Sequence, residues 1–146
     1  MRAYASERGV NVEVTRFPSG TRTAADAATA IGVVIGQIVK SLVFRGGDGA
    51  IVVLCSGALR VDEAKLAELA GPIRRASADE AKAATGYAIG GVPPFAHANP
   101  CRVFCDRTLL GYDVVWAASG LPDAVFPIVP AELVRLSRAT VADITG

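Results

Sequence analysis

The chain has 146 residues, of which 51% are hydrophobic and 20% are charged, and this composition predicts one folded domain spanning residues 1–146. Lysine and arginine number 15 against 14 acidic residues, so the net charge is only +1. That balance excludes a protein that coats long nucleic acids, and it gives no reason to expect a DNA partner. Contact with a few phosphates is still allowed at small basic clusters such as Arg74–Arg75 or Arg135 and Arg138.

The sequence has no charged-then-apolar leader and no apolar run long enough to cross a bilayer, so we expect a cytoplasmic protein without membrane contact. Of the three cysteines, Cys55, Cys101 and Cys105, two lie in apolar runs and none forms a CxxC pair, which favours reduced, space-filling thiols. A single histidine, His97, and no cysteine pair at ligand spacing argue against a metal site.

The first half of the chain is predicted to contain two helices and three strands. Residues 2–8 are expected to be helical, and the alternating valines of 10–17 to form a strand. After a turn, either Thr21 or Thr23 can cap an alanine-rich helix. Two strands with apolar faces, 36–46 and 50–56, are then joined by a "GGDG" hairpin turn.

The second half alternates helices and strands without a regular period. The expected elements are a helix at 60–71, a short strand at 72–77, a helix at 77–86, strands at 101–106, 113–119 and 124–129, a helix from Pro130, and an extended tail at 139–144. This irregular mixture predicts an α+β fold with a mixed sheet rather than regular βαβ winding.

Lys40 lies in the middle of the strand at 36–46, which is apolar on both faces. Side chains alternate along a strand, so Lys40 shares a face with Ile38, Leu42 and Phe44. An uncompensated buried ammonium group is costly. Lys40 must therefore reach solvent along its stem, find a partner, or line a cavity.

The segment "TGYAIGGVPPFAH", residues 85–97, is the most unusual stretch of the chain. Gly90 and Gly91 permit unusual backbone conformations, and Pro93 and Pro94 then stiffen the loop. Such a loop can present N–H groups to an anion or a developing oxyanion. It matches neither a Walker A loop nor a dinucleotide fingerprint, and a plain turn is the alternative.

The lysine strand "QIVKSLVF" followed by "TGYAIGGVPP" resembles the YbaK/EbsC family of aminoacyl-tRNA deacylases, which is similar to the editing domain inserted in bacterial prolyl-tRNA synthetases. Further matches are "TRTAADAATAIG", "VVWAASG" and "PAELVRL", and the resemblance covers the chain from about residue 10 to 143. It implies a curved mixed sheet surrounded by helices. It also implies a trans-editing hydrolase that cleaves the ester of mischarged aminoacyl-tRNA of the cysteine, alanine or proline type.

The family pattern also implies roles for particular residues. It makes Lys40 essential, assigns the aminoacyl group to the loop from Gly90 to Pro94, and places Ser119–Gly120 in the pocket wall. The expected set is therefore Lys40, Gly90 and Gly91 as catalytic residues, with Phe17, Thr21, Val92, Pro93, Pro94, His97, Ser119, Gly120 and Asp123 binding substrate. This chain departs from the family pattern at two positions. It has Phe17 where some members carry a tyrosine, and Asp123 where related sequences often have a polar residue or histidine. Both differences bear on amino-acid specificity.

The residues themselves are compatible with ester hydrolysis. An aminoacyl ester is already activated, and the chain offers no nucleophile–base triad. The N–H groups of residues 90–92 can stabilise an oxyanion, while Lys40 can neutralise a phosphate or the developing charge, or accept a proton. We favour the cationic role, and we expect no cofactor.

The residues also allow other interpretations. Lys40 can be a structural lysine, His97 a loop residue bonded to backbone, and Trp116 a core residue. The alternative function is a non-catalytic nucleotide- or amino-acid-binding module associated with a synthetase. The partners we expect are the acceptor end of tRNA and a prolyl-tRNA synthetase in a transient complex.

Overall fold

The structure, a computed structural model, describes residues 1–17 and 23–146. Its helices are α1 (Arg2–Glu7), α2 (Ala24–Ile31), α3 (Glu63–Ala70), α4 (Ala78–Thr85) and α5 (Pro130–Ser137), with short 3₁₀ turns at Ile35–Gln37 and Arg107–Gly111. Its strands are β1 (Thr15–Arg16), β2 (Ile38–Gly46), β3 (Gly49–Ser56), β4 (Arg74–Arg75), β5 (Arg102–Asp106), β6 (Val115–Ala118), β7 (Ala124–Ile128) and β8 (Thr140–Ala142). Within the described ranges, no helix has both the length and the apolar character needed to span a bilayer.

All the strands belong to one mixed sheet with the order β1-β7-β6-β2-β3-β5-β8, and β4 pairs with β2 outside that path. The β2–β3, β2–β4, β6–β7 and β1–β7 pairs are antiparallel. The β2–β6, β3–β5 and β5–β8 pairs are parallel. The prediction of a mixed α+β sheet with helices around it is confirmed.

Most helix boundaries lie where the sequence predicts them. Thr23, rather than Thr21, is the N-cap of α2, and its hydroxyl accepts from the Asp26 N–H. Ser77 and Glu80 form the predicted capping box of α4, which ends at Gly86 in a left-handed conformation. The helix α3 begins later than predicted because Asp62 caps it.

Hydrophobic clusters cover both faces of β2, as its sequence predicts. On one face, Val39 and Val43 pack in a cluster that includes Phe95 and Phe126. On the other face, Phe44 packs in a cluster with residues of α3 and β5. The strand that carries Lys40 is therefore central in the sheet and covered by protein on both sides.

The strand predicted at 10–17 is much shorter in the structure. Only Thr15 and Arg16 form ladder pairs, with Val125 and Ala124 of β7. The alternating valines are nevertheless directed into the core, because Val12 is buried while Val10 and Val14 pack against the same cluster. The alternation correctly indicated a buried face, but these residues lie beside the sheet without joining its ladder.

One edge of β2 is open in the middle of the strand. β3 pairs with β2 along nearly its whole length, from Val39 to Gly46. On the opposite edge, β6 pairs only at Ile38 and Val39, and β4 pairs only at Phe44 and Arg45. Between them the Val43 carbonyl accepts the Ala76 N–H, and no described strand lies opposite Ser41.

The turn after β3 is tightly packed against the start of β2. A Cβ added at Gly57 would lie 2.6 Å from the Ile35 carbonyl oxygen, so this position has no room for a side chain. The Gly57 N–H also donates to the Ile38 carbonyl, and Ser56 Oγ donates to the Gly36 carbonyl. These contacts fix the turn that carries Leu59.

Gly57→Ala is expected to lower the free energy of unfolding by about 1–3 kcal/mol, because the clash is with backbone that cannot rotate away. Urea denaturation measures the change as a shift in the transition midpoint. Gly47→Ala is the matched control, since a Cβ at Gly47 meets no atom within 4 Å. Equal stability of the two variants would contradict the tight packing of this turn.

Candidate active site

A cavity of about 230 Å³ opens at the unpaired edge of β2. Lys40, Ser41, Gly90 and Val92 line it. The remaining lining residues are almost all apolar and are Ala24, Ala27, Ile38, Val39, Leu42, Ile89, Trp116, Ala118, Pro122 and Val125. The structure thus places the strand lysine and the start of the glycine loop, Gly90–Pro94, in one small, apolar cavity.

Lys40 is half-buried, and it is the only ionisable side chain among the described residues that line the cavity. Its Nζ donates a hydrogen bond of 2.8 Å to the Leu59 carbonyl oxygen, in the turn fixed by Gly57. An ammonium group has three N–H donors, so this bond anchors the cation while leaving donors for a ligand. Lys40 both lines a cavity and has a partner.

Ser41 also lines the cavity, although it is not among the residues predicted from the sequence. Its Oγ is buried without a hydrogen-bond partner, the one such side-chain atom found in the described ranges. Side-chain alternation puts Ser41 on the opposite face of β2 from Lys40, with Val39 and Val43. A hydroxyl between two valines on a buried face was the signal in the sequence.

Gly90 and Gly91 have different environments. Gly90 lines the cavity with a φ of 91°, and an added Cβ would meet only Pro122 at 3.8 Å, so this position needs glycine for its conformation. Gly91 is buried, and an added Cβ would lie 2.9 Å from the Gly120 carbonyl oxygen. The Gly91 N–H already donates to the Ala88 carbonyl at 3.0 Å, so the expectation that it is an oxyanion donor does not fit this arrangement.

His97, Pro93 and Pro94 lie away from the cavity lining. Both prolines are buried, and His97 Nε2 donates to the Pro93 carbonyl oxygen at 2.8 Å. Burial lowers the pKa of His97, and the hydrogen bond to Pro93 opposes that effect. His97 lines a separate cleft of about 510 Å³, so among the alternatives the structure favours the loop residue bonded to backbone.

The connection between β6 and β7 holds the remaining predicted residues. Ser119 Oγ donates to the Ala124 carbonyl at 3.1 Å, which closes the turn. The Asp123 carboxylate pairs with Arg16 at 3.1 Å, and the Phe17 N–H donates to the Asp123 carbonyl. Neither Phe17 nor Asp123 lines the Lys40 cavity.

Ser119 and Gly120 line a neighbouring groove of about 540 Å³ rather than the cavity. Ala118 and Pro122 of the same connection face the cavity. This connection therefore forms the wall between the two depressions. Thr21, the last predicted substrate-binding residue, lies outside the described residues.

The cysteines have the environment of packing residues. Burial raises the pKa of Cys55 to about 11, against an opposing effect of the Lys40 charge, and burial with the nearby Asp106 raises the pKa of Cys105 to about 12. Burial also raises the pKa of Cys101, which is partly accessible. In the described ranges, no group of three or more His, Cys, Asp or Glu side chains is placed to hold a metal ion.

The folded protein is expected to react slowly with iodoacetamide, because a raised pKa leaves little thiolate at about pH 8. Cys101 should be labelled first, and Cys55 and Cys105 only after unfolding or as the pH rises towards their pKa values. Mass spectrometry of labelled peptides, with urea-unfolded protein as the control, measures the order. Rapid labelling of Cys55 in the folded state would contradict this assignment.

Comparison with known proteins shows that the chain is related to a family of editing domains. The sequence profile of the aminoacyl-tRNA editing domain family matches residues 18–136. The uncharacterized protein YwhH of Bacillus subtilis (strain 168) is 35% identical over 131 residues, which cover 88% of this chain and 83% of that protein.

Two solved structures share the whole fold. One, described as a candidate trans-editing enzyme for prolyl-tRNA synthetase, is 46% identical with a TM-score of 0.95, over 99% of this chain and 94% of its own. The other, the hypothetical protein APE2540, is 35% identical with a TM-score of 0.91, over 99% of this chain and 97% of its own. Identity at this level extends along nearly the full length of each molecule.

Proposed function

Because the chain belongs to the aminoacyl-tRNA editing domain family, we propose that it is a trans-editing deacylase that hydrolyses the ester bond of mischarged aminoacyl-tRNA. The observation that carries this proposal is the placement of Lys40 and Gly90 in one small cavity at an open strand edge. The similarity to a structure described as a candidate trans-editing enzyme for prolyl-tRNA synthetase supports it.

The reaction requires water to attack the ester carbonyl carbon and the bond to the ribose oxygen to break. The carbonyl oxygen becomes negatively charged in the tetrahedral intermediate, and a proton from the attacking water passes to the leaving ribose oxygen. The N–H groups of Gly90 and Val92 make no hydrogen bond within the described chain, so we assign them as oxyanion donors. Both residues line the cavity.

Lys40 provides the positive charge of the site. Its anchor on the Leu59 carbonyl holds the ammonium group in a fixed place, which suits electrostatic stabilisation of the oxyanion or of the terminal phosphate. No described residue lining the cavity carries a carboxylate or an imidazole. The water is therefore oriented by groups of the substrate, such as the ribose hydroxyl, and Lys40 acts by charge.

Ser41 is placed to bind the α-ammonium group of the substrate. That group is repelled by Lys40, and Ser41 presents its hydroxyl on the opposite face of β2. The Ser41 Oγ is buried and has no protein partner, so a rotation about its Cα–Cβ bond towards the cavity lets a donor on the ligand satisfy this polar atom. The cavity thus has a cationic side for the carbonyl and a neutral polar side for the amine.

The cavity suits an amino acid with a small, apolar side chain. Its volume of about 230 Å³ is below the usual range for drug-sized ligands, and its walls include Ile38, Val92 and Trp116. Alanine, cysteine and proline are the side chains we propose. The ester group and part of the terminal ribose must share this space with the side chain, which disfavours large aromatic amino acids.

The partner we propose is the acceptor end of tRNA, with a prolyl-tRNA synthetase in a transient complex. The near-neutral charge supports recognition of a short segment of RNA rather than of the whole molecule. We place the protein in the cytoplasm, because mischarged tRNA is made and used there.

Lys40→Ala and Lys40→Met should each lower kcat on a mischarged tRNA by about a hundredfold or more, the typical effect of removing one oxyanion-stabilising group. Lys40→Arg should keep part of the activity, because arginine preserves the charge but cannot accept a proton. Lys82→Met, at an exposed lysine on α4, is the matched control and should be unaffected. Release of radiolabelled amino acid measures the rate.

The same series separates the enzyme from the alternative binding module. A module that does not turn over its ligand shows no release of amino acid by the wild-type protein, and Lys40→Met only changes its affinity. Complete loss of activity in Lys40→Arg with full folding would contradict the cationic role.

Ser41→Ala should raise KM by about tenfold, because the α-ammonium group of the substrate can no longer donate a hydrogen bond to the Ser41 hydroxyl. Tenfold is the size expected for the loss of one hydrogen bond that involves a charged group. It should not lower the stability of the free protein, because it removes an unpaired buried hydroxyl. Steady-state kinetics and urea denaturation of the same samples measure both effects.

Ser137→Ala is the control for Ser41→Ala. Its buried hydroxyl donates to the Leu133 carbonyl in α5, so this variant should lose stability and keep its KM. A Ser41→Ala protein that is destabilised but kinetically normal would show that Ser41 is only structural.

A further inference from the structure

The groove beside the Lys40 cavity has a composition unlike that of the cavity. It has a volume of about 540 Å³ and is lined by Arg2, Arg16, Tyr87 and residues of the β6–β7 connection. Leu121 on its rim is 47% exposed. An aromatic ring, two arginines and an exposed aliphatic side chain therefore share one open depression.

Close packing fixes the wall between the groove and the cavity. Gly91 approaches the Gly120 carbonyl so closely that a Cβ would lie 2.9 Å away. Gly120 has a φ of 122°, and a Cβ there would lie 3.0 Å from the Tyr87 ring. The glycine loop, the β6–β7 connection and Tyr87 are thus packed together, and a ligand in the cavity lies one loop away from the groove.

The charges of the groove are suited to an anion. None of its described lining residues carries a carboxylate, and the exposed guanidinium group of Arg2 makes no ion pair or hydrogen bond in the described part of the chain. Arg16 is held by Asp123 at 3.1 Å, in an exposed pair that a phosphate can replace. The two basic clusters suggested by the sequence are less suited to binding an anion than this groove is. Their arginines are already paired with carboxylates, Arg74 with Glu80 and Arg135 with Glu132.

We propose that this groove binds the unpaired nucleotide on the 5′ side of the esterified terminal nucleotide of tRNA. Tyr87 stacks on its base, and Arg2 and Arg16 bind its phosphates. Aromatic stacking with cationic contacts along the backbone is the usual way in which proteins hold single-stranded nucleic acid. This inference rests on the proposed function, since the ester in the Lys40 cavity is what brings the nucleotide to the groove.

The test compares two substrates that carry the same amino acid. One is the mischarged tRNA, and the other is the aminoacyl ester of adenosine, which lacks the neighbouring nucleotide and its phosphate. Tyr87→Leu should raise KM for the tRNA by about five- to a hundredfold, the range expected when one base is no longer stacked. Its effect on the adenosine ester should be much smaller, and Tyr87→Phe should restore tRNA binding because it keeps the ring.

Arg2→Gln tests phosphate binding without altering a packed residue. Its KM for tRNA should depend less steeply on salt, by a log–log slope of about 0.7 for each phosphate that the variant no longer neutralises. Arg107→Gln is the control, since Arg107 is an exposed arginine outside the groove. Equal rises in KM on both substrates, or an unchanged KM for tRNA in Tyr87→Leu, would overturn the proposal.

A binding measurement separates failure of the groove from failure of the proposed function. If the wild-type protein hydrolyses neither ester, the deacylase assignment is wrong, but the groove is still tested by fluorescence titration with a short single-stranded RNA that ends in CCA. The wild-type protein and Tyr87→Phe should bind this RNA more tightly than Tyr87→Leu. The same affinity for all three proteins would overturn the proposal that the groove binds a nucleotide.

Discussion

The open edge of β2 is the constraint on which the rest of the site depends. A central strand normally has hydrogen-bonded neighbours on both edges, and β2 has them at both ends but not opposite Ser41. Because the strand is otherwise fixed by β3, the opening keeps its shape. Lys40 and Ser41 reach it from opposite faces of the same strand, and this gives a small apolar cavity two chemically different sides.

The glycine loop lines this cavity, and its two glycines are required for different structural reasons. Gly90 adopts a left-handed conformation at the cavity, and Gly91 allows the loop to touch the β6–β7 connection. That contact sets the distance between the cavity and the neighbouring groove. A single packing arrangement therefore sets the positions of the cavity and the groove, the two sites that we propose for the ester and for the RNA.

Most of the fold follows from local signals in the sequence. Thr23 and the Ser77–Glu80 capping box mark helix starts, and the apolar faces of 36–46 correctly indicate a central strand. Lys40 could be predicted as unusual because its charge conflicts with that position. The strand predicted at 10–17 is longer than the observed strand Thr15–Arg16. An alternating pattern indicates which side chains are buried, but not which backbone groups form hydrogen bonds.

Features that depend on distant contacts could not be read in this way. The sequence does not show that the Gly91 N–H donates its hydrogen bond to the Ala88 carbonyl oxygen. It also does not show that Ser119 and Gly120 face the groove. His97 follows the glycine loop closely but lies in the wall of another cleft, because the loop turns between Pro93 and His97. Which side of a loop a residue occupies is set by tertiary packing, and only the structure determines it.

The most direct test of the central claim is deacylation of one tRNA charged in turn with alanine, cysteine, proline, leucine and phenylalanine. The small apolar cavity predicts hydrolysis of one or more of the first three esters and little or none of the last two. Release of amino acid from each ester at equal concentration gives the comparison. Hydrolysis of the phenylalanine ester as fast as that of the small ones, or no hydrolysis of any ester, would contradict the account.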